Sequence, residues 1–94
     1  MKMVSYWKNE RVIYNDGDFV LIVGHYDHKN QNNGGNKCLG VHWGTYPLSH
    51  NVLSPCVIPK ETRVAILSGL LHQAIVKGNK EQVKGITDAI AYFN

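Results

Sequence analysis

Charge is scarce in this chain, and neither sign is concentrated anywhere along it. Asp, Glu, Lys and Arg make up 18% of the 94 residues, against about a quarter in an average globular protein. Ten Lys and Arg against seven Asp and Glu leave a formal charge of +3. No Lys/Arg run occurs, and both halves of the chain share the excess. A protein that grips nucleic acid by its phosphates gathers basic residues on one face. Nucleic acid is therefore not an expected partner, and weak binding to it is only a third reading.

Long hydrophobic runs are missing too. None exceeds the length of Phe19 to Val23, which is strand-sized, far short of the ~20 residues that span a bilayer. The first seven residues, Met1 to Trp7, lack the apolar stretch of a secretory signal. No membrane partner and a cytoplasmic location are expected. Cysteine is limited to Cys38 and Cys56, and in a reducing compartment these read as thiols buried like small hydrophobes.

Catalytic sets are equally thin. Acids are few, with Asp16 and Asp18 flanking a turn and Glu61 and Glu81 at helix starts, so a pair of carboxylates is hard to assemble. No Gly-x-Ser-x-Gly elbow is present, and Gly34-Gly35 is not followed by Gly-Lys-Ser/Thr. Ser49-His50 are neighbours in sequence only. His25, His28, Cys38 and His42 are all zinc-binding residue types. However, His25 and His28 differ by an odd number, so a regular strand would turn them to opposite sides. No metal, no cofactor and no enzymatic activity are expected.

What the chain does have is a change of rhythm at Pro59. Before it, apolar residues cluster in short runs broken by Asn, Asp and Gly; after it they recur at helical spacing. One α+β domain over 1–94 follows. Its antiparallel sheet of three to four strands and a crossover occupy 1–58, and they pack against an antiparallel helix pair over 59–94. Strands are predicted at Val4–Trp7, Arg11–Tyr14, Asp18–Tyr26 and Lys37–Trp43, with turns at Lys8–Glu10 and Asn15–Gly17. The β-branched centre of the third has no alternation, which marks a strand covered on both faces. Gly24 and Gly40 inside strands point to a bulge or a close backbone approach. Lys29 to Asn36 is polar and reads as a mobile loop.

Residues 44–58 have no period and read as an irregular crossover packed through Tyr46, Leu48, Val52, Leu53 and Val57. Pro59 suits the first turn of a helix, Gly78 its end, and Asn79 the cap of the next. Val64, Leu67, Leu71, Ala74 and Ile75 form one stripe, widened by Ile66, Leu70 and Val76. So much apolar circumference calls for more than one neighbour. In a domain this short, a homodimer is expected to supply one.

Aromatics concentrate in the sheet half: Tyr6, Trp7, Tyr14, Phe19, Tyr26, Trp43 and Tyr46. They exceed what so small a core takes in, and the surplus at strand ends suits a binding surface. Tyr26, His28, Trp43 and Tyr46 are the candidate anchors for a protein target. In size, in lacking a catalytic set and in these aromatics, the chain resembles the small inhibitors and regulators of phages and mobile elements. That resemblance implies a protein that acts by occupying a partner. The alternative is a protein that senses or sequesters a small anionic, nucleotide-like ligand. Lys60 and Arg63 would hold the anion at a helix N-terminus, and Trp43 or Tyr46 would stack on the base.

Overall fold

The computed structural model describes residues 6–28, 31 and 33–94. Its frame is a four-stranded antiparallel sheet in the order β1-β2-β3-β6: β1 Trp7–Asn15, β2 Val20–Tyr26, β3 Asn36–His42 and β6 Cys56–Ile58. Two short strands, β4 Leu48–Ser49 and β5 Val52–Leu53, form a separate hairpin. Two helices follow, α1 Lys60–Lys77 and α2 Lys80–Tyr92. The α+β reading, sheet first and helix pair last, is what the chain adopts.

Strand β2 lies between β1 and β3 and is buried through Leu21, Ile22, Val23 and Gly24. Alternation along it feeds two cores. Leu21 and Val23 point to the helix face. There they join Ile13, Leu39 and Ile58 from the sheet, Leu67 and Ala74 from α1, and Ile86 and Ala89 from α2. Ile22 points the other way, against Trp7, Val20, Tyr26 and Cys38. The Trp7 indole crosses this outer face above Gly40 and donates from Nε1 to the Pro55 carbonyl oxygen at 3.1 Å. A side chain at Gly40 would collide with that ring.

The predicted turn at Lys8–Glu10 is not a turn. The strand runs through it as a bulge, with Asn9 at φ 54° and the register slipping between Lys8 and Arg11. Asn-Glu has turn composition, but the sheet absorbs the extra residue because Gly24 opposite leaves room for the Glu10 backbone. Asp27 is buried and its Oδ2 accepts from the Gly34 N–H at 2.9 Å. Gly34 is therefore pinned rather than loose. Lys29, Asn30 and Asn32 of the proposed mobile loop lie outside the described residues, as do Val4 and Ser5 of the first predicted strand.

The crossover is ordered more finely than expected. Trp43 and Tyr46 exchange backbone hydrogen bonds of 2.7 and 2.9 Å around Gly44-Thr45. Leu48 and Ser49 pair with Leu53 and Val52 around His50 and Asn51, both at positive φ. The Ser54 N–H then bonds the Pro47 carbonyl at 2.8 Å. The Gly44-Thr45 and His50-Asn51 turns have two central residues each, too short to show a period in sequence. Leu53 is buried, but Tyr46, Leu48 and Val57 are exposed, so three of the five residues expected to pack this segment do not.

The α1 stripe is also rotated from the sequence reading. Leu67 and Ala74 are buried with Ile66 and Leu70 beside them, while Val64 and Ile75 are 66% and 60% exposed. Pro59 is the N-cap of α1 rather than its first helical residue. Gly78 ends that helix in the left-handed conformation, and the Asn79 side chain caps α2 by accepting from the Gln82 N–H. Among the described residues, no helix is long and apolar enough to cross a membrane.

Candidate functional site

Antiparallel pairing of β2 and β3 divides the candidate anchors. Tyr26 lies opposite Asn36 at one end of the sheet; Trp43 follows His42, which lies opposite Val20 at the other. Six residues of strand, about 20 Å, separate Lys37 from Trp43. Tyr26 and His28 therefore share one end, and Trp43 and Tyr46 share the other.

At the first end, the Tyr26 hydroxyl and His28 Nδ1 are 3.1 Å apart. Tyr26 is half-buried, edge-on to both Trp7 and Tyr6, and burial raises its phenol above the ordinary range. It is an extension of the outer core more than a free anchor. His28 is exposed beside it.

At the second end the geometry is different. Trp43 is 47% exposed and Tyr46 66%, their ring centroids 6.5 Å apart. Leu48, two residues on, is 49% exposed. The two aromatics straddle a tight turn whose first central residue, Gly44, has φ 55°. Glycine takes that conformation without the steric cost a Cβ brings. The main chain is locked by the paired hydrogen bonds while the rings face solvent. Sequence reasoning found Trp43 and Tyr46 but assigned Leu48 to packing. The residues carry no signal for its exposure, because apolar residues in an aperiodic segment read as core.

The anion site proposed on Lys60 and Arg63 keeps only part of its geometry. The two are three residues apart on α1 and so share a side. Arg63 is half-buried, with its guanidinium 3.8 Å from the Phe93 ring centroid and Nη1 3.4 Å from the Lys37 carbonyl oxygen. Lys37 is at the end of β3 away from Trp43, so the structure does not bring Trp43 or Tyr46 to Arg63.

The histidine and cysteine set is scattered as well. His25 points to the helix face, 3.5 Å from the Tyr92 hydroxyl, while Cys38 packs on the outer face. His42 is buried at the far end, its Nδ1 3.0 Å from the Gly44 carbonyl oxygen. Among the described residues no three metal-ligating side chains converge. Both thiols are free. Cys38 is half-buried, and burial raises its thiol, but Cys56 is exposed, contrary to the expectation that both would be buried. An edge strand of three residues cannot cover both of its faces. Ser49 ends β4 and His50 opens the β4–β5 turn, where it is exposed.

The surface best suited to recognition is thus the Trp43–Leu48 turn. No family model, no curated protein and no solved structure matches this chain.

Proposed function

We propose that the protein is a small non-enzymatic binding protein of the inhibitor or regulator type. It engages a protein target through Trp43, Tyr46 and Leu48. One observation carries this reading: two aromatics and a leucine stand exposed on a backbone fixed by its own hydrogen bonds. Burying such side chains releases water from apolar surface, and a rigid turn loses little entropy in doing so. Aromatic anchors of this kind dominate protein interfaces.

The test is affinity capture from lysate of the source cells with the intact chain as bait. Trp43→Ala and Tyr46→Ala are each expected to weaken capture of the target at least tenfold, with circular dichroism unchanged. Capture that survives the double variant would defeat the proposal.

A second observation favours self-association. Val64, Ser68 and Ile75 fall within one narrow sector of α1, and all three are exposed. From Val64 to Val76 the helix has no Asp, Glu, Lys or Arg. A two-fold antiparallel crossing would set Val64 against Ile75 of a second copy, as a self-complementary patch requires. Light scattering after gel filtration is expected to give twice the chain mass, and Val64→Glu/Ile75→Glu to return it to a monomer. A monomer at the highest soluble concentration would dismiss the pairing.

A further inference from the structure

Four basic side chains from four elements converge on the C-terminal end of α2. Strand register places Lys8, His25 and Lys37 in one row across β1, β2 and β3. Arg11 is opposite Val23, on the same helix face. The end of α2 brings Tyr92 and Phe93 over this row. Lys37 Nζ donates to the Tyr92 carbonyl oxygen at 3.0 Å and sits 4.9 Å from the Tyr92 ring centroid. The Arg11 guanidinium is 5.8 Å from the same centroid. His25 Nδ1 is 3.5 Å from the Tyr92 hydroxyl. Arg63 reaches in from α1 onto Phe93, whose ring is 5.1 Å from that of Tyr92. Burial raises the Tyr92 phenol, against an opposing pull from Arg11.

Part of this arrangement is structural. Cations belong at a helix C-terminus, where the carbonyls carry about half a negative charge. That half charge does not balance Arg11, Lys37 and Arg63. Among the described residues, no carboxylate is ion-paired with these three or with His25; the described ion pair, Lys84–Asp88, is elsewhere on α2. Asp27, two residues past His25, is buried and accepts from the Gly34 N–H, and the acids beside Arg11 and Arg63 in sequence point away. Glu10 lies over Gly24 on the outer face. Glu61 is two residues from Arg63, about 200° around the helix. Arg11 and Lys37 are exposed, and His25 and Arg63 half-buried. The corner is therefore a concentrated positive patch in a chain whose net charge is only +3.

We propose that Arg11, His25, Lys37 and Arg63, gathered around Tyr92 and Phe93, bind a small anion carrying two or more phosphoryl groups. A terminal phosphate carries about −1.5 to −2, so one group leaves three fixed cations undercompensated and two match them. Strands β1 and β3 are about 10 Å apart, a span a chain of phosphoryl groups bridges and a single one does not. Arginine forks suit phosphoryl oxygens. The patch occupies one corner and does not continue as a track, so a small polyphosphate fits it better than a nucleic-acid strand. This site is independent of the Trp43 turn and lies at the other end of the sheet.

Titration calorimetry on the full chain would use inorganic tripolyphosphate, a nucleoside triphosphate and a twelve-nucleotide single strand. Tripolyphosphate and the nucleoside triphosphate are expected to bind one per chain, weakening as salt is raised. Equal affinity for both would assign the source to the phosphate chain alone; tighter binding of the nucleotide would add a base contact. Arg11→Gln/Lys37→Gln is expected to weaken tripolyphosphate at least tenfold, while the charge-matched Lys77→Gln/Lys80→Gln changes it less than twofold. Amide shifts in the unmutated protein provide a check independent of variant folding, and should cluster at 8–11, 25, 37, 63 and 92–93. Equal losses in both double variants, shifts elsewhere, no binding of tripolyphosphate, or preference for the oligonucleotide would each overturn the site.

Discussion

Replacing Trp7 by alanine is expected to cost about 3–5 kcal/mol, the range for deleting a large buried aromatic. Trp43→Ala should cost under about 0.5 kcal/mol, as surface changes usually do. The two tryptophans of this chain have opposite roles. Trp7 is 4% exposed, packs on Ile22 and Tyr26, and spans the outer face to reach Pro55. Truncating it removes that contact area and also leaves the Pro55 carbonyl without its donor, a further penalty of about 1 kcal/mol. A 94-residue domain has roughly 5–14 kcal/mol to lose. Trp7→Ala should therefore unfold at a much lower urea concentration, and far-ultraviolet circular dichroism separates its folded and unfolded forms at 25 °C. Acrylamide gives a second readout: it should quench Trp43 fluorescence in Trp7→Phe and barely touch Trp7 in Trp43→Phe. Similar denaturation midpoints for the two alanine variants would mean that the outer core is misassigned and that the Trp43 turn is not a free surface.

That contrast marks where sequence was sufficient. Strand β2 was legible because Val20 to Val23 is apolar without alternation and largely β-branched, and Gly17 and Gly24 bracket it, as suits a strand covered on both faces. Both helices were legible because Pro59, Gly78 and Asn79 punctuate them. The rotation of α1 was not. Val64, Ile75 and Ala74 lie within one broad sector, and which edge of it faces the core depends on how α2 docks, through Ile86 and Ala89. Nor could composition distinguish Trp7 from Trp43, since both flank strand-prone runs. The division of the anchors was implicit, however. Once Phe19–Tyr26 and Lys37–Trp43 are taken as antiparallel neighbours, Tyr26 and Trp43 fall at opposite ends. The basic corner needed more. Lys8, His25 and Lys37 align only through a register that includes a bulge, and Tyr92 reaches them from more than fifty residues away.

Gly85→Ala is expected to destabilise the protein by about 2 kcal/mol or more, although alanine is the better helix former by about 1 kcal/mol. The comparison with Gly69→Ala makes the physics explicit. Both glycines are inside helices. Around Gly69 a methyl group would meet nothing within 4 Å, so the propensity term acts alone and stability should rise by about 0.5–1 kcal/mol. At Gly85 a methyl group would run into the Ile13 carbonyl oxygen of β1. The obstacle is backbone, which cannot swing aside as a side chain would, so α2 must lift from the sheet. Ile86 and Ala89, both fully buried, would lose part of their packing as it does. Urea denaturation of the two variants should therefore shift in opposite directions. The same displacement would carry Tyr92 and Phe93 away from Arg11, Lys37 and Arg63, so Gly85→Ala should also weaken tripolyphosphate binding while Gly69→Ala leaves it intact. If both variants gained stability, α2 would not rest on β1 at Gly85, and the corner built on its C-terminal end would lose its geometric basis.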